Sequence, residues 1–469
     1  MSLYSRQKGK LKVMGITVFH TKRTNGKIVS RFFGIPVRTA KDKAWELRRE
    51  AQRRIENGVF DMRDLDAEVA AFSEETATRK DCPPFSVSDS AYKIAFLATE
   101  LYDTGGHTES MRNLAEALSE YGETKLFLCN LSASEIKSPL RLKLIRRKTP
   151  VDGIDFSDDE IDCDIKKLWA QIRDFAPNAI VAFPHSNDLV AACVLSLLKT
   201  RTNVKIVYAN HSSHSPSLGL GFADAVLEGT ESMLETTRKR RKLDTGVVAG
   251  LFCRKKEDIP SFGAEQTSAK RKELGVPEGM LCTMSGGAAF KFFDENGDSG
   301  YFRMIRRILE KQPHVFHIVL SEFSESRMQT INAVFGDASC RDRLKIMPRS
   351  AEYEPVFKCA DVFIDSFPFS AALTQVDLMM LKIPAVVKIN RENPRLSFHE
   401  YMPAGYPYMF DSVEEMEAGV LRLLSSPEER KRATDLNYDH YMNVFESRAY
   451  GKRMNDLIKG LQHGDTINA

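Results

Sequence analysis

Residues 360–387, ADVFIDSFPFSAALTQVDLMMLKIPAVV, contain the most specific motif of the chain. A short apolar run ends at Asp365, and a loop of small residues follows around Pro368. A helical period begins near Thr374, and a second apolar run closes the stretch at 385–387. Strand, loop, helix and strand in this order are typical of a βαβ unit, whose two strands lie parallel in one sheet.

The same alternation extends outward over residues 91–450. Strands are predicted at 92–98, 125–129, 179–183, 204–209 and 247–252, and again at 281–284, 315–320, 344–347, 362–365 and 385–387. A polar break at 254–270 divides the two series. The pattern predicts an α/β protein with two tandem, Rossmann-like, doubly wound parallel-sheet domains at 91–265 and 266–450, followed by a tail at 451–469. The ligand is expected in the interdomain cleft, at the carboxyl ends of the strands.

The composition is that of an ordinary globular protein. Of 469 residues, 42% are apolar and 28% are charged, which excludes extensive disorder. The longest uncharged apolar run, residues 189–198, is about half as long as a bilayer requires, and no signal-like apolar segment opens the chain. We therefore expect a cytoplasmic protein. Its eight cysteines are scattered singly, so neither a disulfide framework nor a zinc cluster is expected.

Residues 1–90 read as a basic extension. Residues 1–60 carry 15 Lys and Arg against 4 Asp and Glu, a net charge of +11, so the rest of the chain carries −8 of the total of +3. Apolar runs at 12–19 and 27–37 flank Asn25-Gly26, which predicts a β-hairpin. A helix is expected at 41–57 and a linker at 61–90. The helix either lies on a membrane surface or packs on its own protein, and its small apolar side chains favour packing.

The basic charge leaves the partner of the extension open. An anionic membrane surface, an acidic partner and nucleic acid all attract such a segment. Nucleic acid ranks last, because the basic run lacks the aromatic pattern of RNA-binding modules and the body of the chain is acidic. We expect reversible attachment of residues 1–60 to the inner face of the plasma membrane.

Two motifs of the first domain follow predicted strands. Residues 102–108, YDTGGHT, precede a helix, so Gly105 and Gly106 permit a tight turn and His107 projects toward the ligand site. Residues 210–214, NHSSH, carry His211 and His214. Two histidines can ligate metal, but no third ligand of the usual kind lies nearby. Both motifs have structural alternatives, a plain turn and hydrogen-bonded histidines, and we expect no metal.

Two motifs of the second domain suit a phosphate ligand. Residues 285–291, SGGAAFK, place Lys291 beyond the turn at Gly286 and Gly287, where a lysine serves as a point charge for a diphosphate. In residues 360–387 the backbone amides at the start of the helix can bind a phosphate. Asp377 lies one turn further along the helix, where its carboxylate can accept hydrogen bonds from ribose hydroxyls. The alternative is that Thr374 merely caps the helix and Asp377 merely complements its dipole. The donor site predicted from this stretch comprises Ser370, Leu373, Thr374, Gln375 and Asp377.

At these residues the chain resembles the GT-B fold glycosyltransferases of bacteria, specifically relatives of the O-GlcNAc transferase and of surface-polysaccharide and adhesin glycosyltransferases. The resemblance covers about residues 91–450 and is best over 365–387. It implies that Lys291 and Thr374 contact the donor diphosphate and that Asp377 contacts the ribose. The chain departs from the family pattern at Ala371-Ala372, where relatives have two glycines. Phe369 stands where the retaining enzymes have glutamate, so the resemblance implies an inverting reaction.

The sequence therefore predicts a metal-independent transferase that uses no cofactor beyond a nucleotide sugar, with a UDP-sugar expected. The acceptor is a glycan, a lipid-linked sugar or a protein. An inverting route needs a general base, for which His107 is the first choice, Asp103 the second and His211 the third. Gly105, Gly106 and His214 complete the expected acceptor side. The alternatives are a nucleotide-sugar epimerase of the same fold and a catalytically silent scaffold bound to a membrane surface.

Overall fold

The computed structural model describes residues 4–7, 10–13, 16–24, 27–32, 35–87, 92–103, 106–155, 160–251, 253–256, 262–349, 353–371, 373–391, 397 and 399–464, with side chains from residue 42 onward. The chain divides into two compact units. The first takes the described residues up to Gly229, Met233–Leu251 and those from Gly451 on, and the second takes Thr230–Ser232 and the described residues from 253 to Tyr450. The sequence placed the start of the second domain at residue 266.

The chain begins with a five-stranded antiparallel sheet whose strands follow one another in order. They are β1 (Tyr4–Gln7), β2 (Lys10–Val13), β3 (Ile16–Thr24), β4 (Lys27–Phe32) and β5 (Ile35–Lys41). Thr24 of β3 faces Lys27 of β4, as the hairpin prediction requires, while Asn25 and Gly26 lie outside the described residues. Each of the two predicted runs is divided between two strands.

The first unit contains a parallel sheet of seven strands in the order β12-β11-β10-β9-β6-β7-β8. Its strands are β6 (Lys93–Ala98), β7 (Glu123–Leu128), β8 (Val151–Gly153), β9 (Ala179–Phe183), β10 (Lys205–Ala209), β11 (Ala225–Glu228) and β12 (Gly246–Val248). The helices before and between them are α1 (Lys43–Glu56), α2 (Arg63–Thr76), α3 (Gly106–Leu118), α4 (Leu131–Lys137), α5 (Pro139–Arg146), α6 (Ile161–Phe175), α7 (Leu189–Arg201) and α8 (Glu231–Lys239).

The second unit contains a parallel sheet of six strands in the order β15-β14-β13-β16-β17-β18. Its strands are β13 (Leu281–Gly286), β14 (Val315–Leu320), β15 (Leu344–Met347), β16 (Val362–Ile364), β17 (Ala385–Lys388) and β18 (Met409–Phe410). The helices are α9 (Ala264–Glu273), α10 (Gly300–Lys311), α11 (Glu325–Phe335), α12 (Glu354–Phe357), α13 (Leu373–Leu381), α14 (Val413–Ser425), α15 (Pro427–His440) and the start of α16 (Ser447–His463), which enters the first unit at Gly451. The prediction of two parallel-sheet α/β domains is confirmed.

The predicted linker at 61–90 is wrong, because this segment contains helix α2 and covers the core of the first unit. Helix α7 is apolar all round, and every residue from 189 to 198 is buried. Such a helix needs apolar neighbours on all sides, and α1 and α2 both pack against it. Asp66 of α2 accepts hydrogen bonds from the amides of Gly219 (2.7 Å) and Gly221 (3.1 Å), which fixes α2 to the domain.

Helix α1 packs on its own protein, as the sequence favoured. Ala44, Leu47 and Ala51 on its apolar stripe are buried in the same core as α7. On its outer face Arg53 pairs with Glu50, and Arg54 pairs with both Glu50 and Asp64. The apolar stripe of α1 is therefore not available to a membrane.

The predicted tail at 451–469 is also wrong, because α16 continues through it to His463 and belongs to the first unit from Gly451 on. A Cβ at Gly451 would lie only 2.9 Å from the Cβ of Ala117, so glycine allows α16 to approach α3 closely. Within the described part of the chain, no helix is long and apolar enough to cross a membrane.

Candidate functional site

The strand order of each sheet reverses direction beside its first strand. In the first unit the chain moves from β6 to β7 and β8 on one side, and then to β9, β10 and β11 on the other. In the second unit β13 has β14 on one side and β16 on the other. Ligands of open α/β sheets bind at such reversals, outside the carboxyl ends of the strands. The two reversals, β6/β9 and β13/β16, are therefore the places to look for function.

Four aromatic polar side chains gather at the β6/β9 reversal. Tyr102 follows β6, His185 follows β9, His211 follows β10 and His107 lies in the first turn of α3. The rings of His107 and His211 have centroids 4.3 Å apart, and those of His107 and His185 are 6.2 Å apart. The Tyr102 hydroxyl and His185 Nε2 share a hydrogen bond of 2.5 Å. The structure thus brings together two of the three predicted bases and adds two residues to them.

The protonation state of His107 follows from its contacts. Its Nε2 donates to the carbonyl oxygen of Phe183 at 2.9 Å, because a carbonyl can only accept. Nδ1 therefore carries the free lone pair, and this buried atom has no hydrogen-bond partner among the described residues. Burial lowers the pKa of His107 to about 4. His107 is neutral at pH 7, and its unprotonated ring nitrogen is Nδ1.

His211 is held by its own backbone and by the segment around it. Burial, with the nearby His107 ring as a further cause, lowers its pKa to about 3, and its backbone amide donates to the Ala209 carbonyl at 2.9 Å. The adjoining Asn210 donates to the buried Glu228 at 2.7 Å. Arg241 donates to the carbonyl oxygens of Ser213 (2.8 Å) and Ser215 (2.9 Å), which holds the segment after β10.

The remaining residues predicted on this side lie at its margin. Asp103 and His214 are both exposed, and Gly106 is the first residue of α3. Gly105 lies outside the described residues. The backbone amide of Tyr102 donates to the Thr108 hydroxyl at 2.8 Å, which closes the turn between β6 and α3.

At the β13/β16 reversal, the loop after β16 wraps around Asp365. This buried carboxylate accepts hydrogen bonds from the amides of Ser366 (2.9 Å) and Ala371 (2.8 Å) and from the Ser370 hydroxyl. Burial raises the pKa of Asp365 to about 6, against the lowering effect of these hydrogen bonds. The Phe367-Pro368 peptide bond within the loop is cis. Asp365 thus holds the loop in a closed turn that ends at the start of α13.

Lys291 meets this loop from the other strand of the reversal. It lies in a 3₁₀ turn at Ala289–Phe292 after β13, and its Nζ donates to the Ser370 carbonyl oxygen at 2.7 Å. A Cβ at Gly287 would lie 3.1 Å from Cδ of Lys291, so this glycine leaves room for the lysine stem. Burial lowers the pKa of Lys291, and the nearby negative charge of Asp365 opposes that effect. An ammonium has three donors, of which the Ser370 carbonyl uses one.

The start of α13 carries the other predicted donor residues. Leu373 and Thr374 are partly exposed in its first turn, and the Thr374 amide donates to the Ala371 carbonyl at 3.0 Å. Gln375 is buried, and neither polar atom of its side chain has a partner within the described ranges. Asp377 is buried as well. The loop after β16 therefore contacts Lys291 through the Ser370 carbonyl and leads into the first turn of α13.

The predicted ribose ligand Asp377 is engaged within the protein. Its Oδ2 accepts from the Tyr353 hydroxyl at 2.9 Å, and its Oδ1 lies 2.9 Å from Nε of Arg254. Arg254 also donates to Glu354 at 3.1 Å. A ribose hydroxyl would therefore share Asp377 with Arg254 and Tyr353.

Sequence reasoning missed His185, Arg254 and Arg349. His185 comes two residues after β9 and Arg349 two residues after β15, and this position at a carboxyl edge was the available signal. Arg349 is exposed and near enough to lower the pKa of Lys291. For Arg254 the sequence held no signal, because its partners lie about 100 residues away along the chain. Among the residues that the structure describes, no group of His, Cys, Asp and Glu side chains is arranged to hold a metal ion.

Comparison with solved structures identifies the fold. A glycosyltransferase from Rickettsia africae ESF-5 matches with a TM-score of 0.62 and 10% identity over 81% of this chain and 100% of that one. HepE of Anabaena in complex with UDP and glucose matches with a TM-score of 0.59 and 12% identity, over 79% of this chain and 100% of that one. An O-GlcNAc transferase from Thermobaculum terrenum matches with 0.54 and 11% over 90% of this chain and 78% of that one. The chain has the GT-B fold, as the resemblance implied.

No protein-family model matches the chain. No curated protein matches it in sequence either.

Proposed function

We propose that the chain is a metal-independent glycosyltransferase that moves a sugar from a nucleotide diphosphate sugar to an acceptor. The observation that carries the proposal is the position of Lys291. Its ammonium is bonded to the Ser370 carbonyl at 2.7 Å, beside the N-terminus of α13 and at the reversal of a parallel sheet. A cation next to a helix N-terminus suits a diphosphate. The GT-B fold supports this assignment, as does the UDP in the matching HepE structure.

The proposed reaction is a single displacement that inverts the anomeric carbon. The acceptor atom forms a bond to that carbon as the bond from the carbon to the diphosphate breaks. Lys291 and the start of α13 stabilise the negative charge that develops on the leaving diphosphate. His107 accepts the acceptor proton at Nδ1. It ranks ahead of Asp103, which is exposed, and of His211, whose pKa is lower.

The finer assignments follow from the same arrangement. We propose that a ribose hydroxyl shares the Asp377 carboxylate with Tyr353 and Arg254. The other donor-side residues we propose are Gly286, Gly287, Ser370, Leu373, Thr374 and Gln375. On the acceptor side we propose Gly105, Gly106 and His214. The donor is a UDP-sugar, no cofactor takes part, and the acceptor is a glycan, a lipid-linked sugar or a protein in the cytoplasm.

A nucleotide panel tests the donor assignment. UDP at one hundred times its Kd is expected to stabilise the protein by about 2.7 kcal/mol, which a thermal unfolding scan detects, and adenosine or guanosine diphosphate is expected to do less. UDP-sugars are expected to act like UDP. If no nucleotide raises the unfolding temperature, the donor site does not exist, and the silent scaffold replaces the transferase.

The structure leaves a smaller part of residues 1–60 for the proposed membrane contact. Helix α1 buries its apolar stripe and pairs two of its arginines, Arg53 and Arg54, within the protein. Deleting residues 1–60 would therefore remove part of the core together with the charge. The charge that remains to be tested lies in residues 1–41, where Lys→Ser substitutions change the charge without removing α1.

A further inference from the structure

Helices α4 and α5 expose an unusual set of large apolar side chains. Ile136 is 81% exposed, Leu140 is 72% exposed and Leu144 is 45% exposed. They recur every four residues, while Leu142 and Ile145 of α5 are buried at 2% and 3%. Helix α5 is therefore amphipathic, with Leu142 and Ile145 holding it to the domain and Leu140 and Leu144 facing solvent. Helix α4 buries only Ser134 and extends the exposed apolar row with Ile136. We call residues 131–148 the α4–α5 surface.

The α4–α5 surface is also strongly basic. It contains six lysines and arginines and a single glutamate. Lys137, Arg141 and Lys148 pair with acidic residues elsewhere in the first unit. The side chains of Lys143 and Arg147 have no hydrogen bond or ion pair with any residue that the structure describes. They line a groove of about 350 Å³ together with Arg146 and Glu135, which pair with each other at 3.3 Å. The positive charge available beside the exposed apolar row is therefore that of Lys143 and Arg147.

The α4–α5 surface is fixed to the loop that precedes His107. Ser134 Oγ accepts from the Leu101 amide and Ser138 Oγ donates to the Leu101 carbonyl, each at 3.0 Å. Arg141 donates to the Asp103 carbonyl at 3.3 Å. Whatever the α4–α5 surface binds is therefore held next to residues 101–103.

We propose that the α4–α5 surface docks on an anionic lipid bilayer. Exposed aliphatic side chains beside arginine and lysine are the features by which an amphipathic segment lies in a membrane interface. The basic groove complements anionic headgroups, which attract basic residues near the surface. A second copy of the chain is a poor occupant, because a two-fold contact would set this basic surface against itself. The proposal does not depend on the glycosyl transfer proposed above.

Vesicle flotation with the full chain tests the docking. Wild-type protein is expected to bind vesicles of phosphatidylglycerol and phosphatidylcholine in a salt-sensitive manner, and to bind pure phosphatidylcholine far less. Substituting Lys143→Ser together with Arg147→Ser is expected to weaken binding about 30-fold, since each charge contributes about fivefold. Substituting Ile136, Leu140 and Leu144 by serine is expected to weaken it at least about tenfold.

Two controls separate this proposal from its rivals. Leu436→Ser removes an apolar side chain that is 40% exposed on α15 and is expected to leave flotation unchanged. A variant with Lys10, Lys12, Lys22 and Lys27 changed to serine tests the N-terminal segment. The unfolding temperature, measured for every variant, confirms that the body is intact. If wild type does not float, or if both α4–α5 variants float like wild type, the proposal is overturned.

Discussion

Replacing His107 by alanine is expected to lower turnover by about 10²–10⁴-fold, while donor affinity stays nearly intact. The reason is geometric: Nε2 is anchored on the Phe183 carbonyl, so Nδ1 is the only ring atom left to take a proton. Initial rates at saturating donor, with calorimetric titration of UDP, measure the two effects separately.

His107→Gln is the matched variant for this prediction. A glutamine amide can still donate to the Phe183 carbonyl but cannot take up a proton, so it is expected to lose as much activity as alanine. The pH profile adds an independent readout. The pKa of His107 is lowered to about 4, and a general base works when deprotonated. The acid limb of kcat/KM is therefore expected near pH 4 rather than near 6.5. A variant that binds donor poorly but turns over normally at saturation would make His107 a binding residue.

Replacing Lys291 by alanine is expected to weaken UDP binding by about 1.5–3 kcal/mol, the range for a hydrogen bond to a charged group, or about tenfold to 150-fold in Kd. The catalytic loss should exceed the binding loss, because charge on the diphosphate grows in the transition state. Calorimetry with UDP and initial rates measure the two.

Two variants bracket the Lys291 result. Gly287→Ala places a methyl group 3.1 Å from the Lys291 stem and is expected to give a smaller loss by displacing it. Lys270→Ala breaks a solvent-exposed pair with Glu273 and should leave UDP affinity unchanged. Wild-type UDP affinity in folded Lys291→Ala would remove Lys291 from the donor site.

Much of the fold was predictable because buried parallel strands are continuous apolar runs. Strands such as β9 and β14 are buried along their whole length, and both were predicted. The strands β8 and β18 were missed because they are only partly buried and form no continuous apolar run, and the four-residue strand β11 was missed although it is buried. Helix α2 was missed because a Ser- and Pro-containing segment after it masked its period. Helix α7 could have indicated α2, because a helix that is apolar on all sides needs other elements packed around it.

Residues of the candidate site were predictable where they come shortly after a strand in the sequence. His107, His211 and Lys291 were selected as candidates in this way, and the ring centroids of the first two lie 4.3 Å apart in the structure. Contacts between residues that are distant in the sequence were not predictable. Arg254 forms an ion pair with Asp377, 123 residues further along the chain, and no local sequence pattern indicates that pair. The Phe183 carbonyl that sets the His107 tautomer is likewise a backbone group with no sequence signature.

Product analysis with a UDP-sugar labelled in the sugar tests the proposed transfer reaction. Incubation with membranes and protein extract as acceptors is expected to release UDP and to move the label to an acceptor in equal amounts, and Lys291→Ala is expected to abolish both. Conversion of the donor to a second nucleotide sugar, without release of UDP and without any acceptor, would contradict the account and establish the epimerase instead.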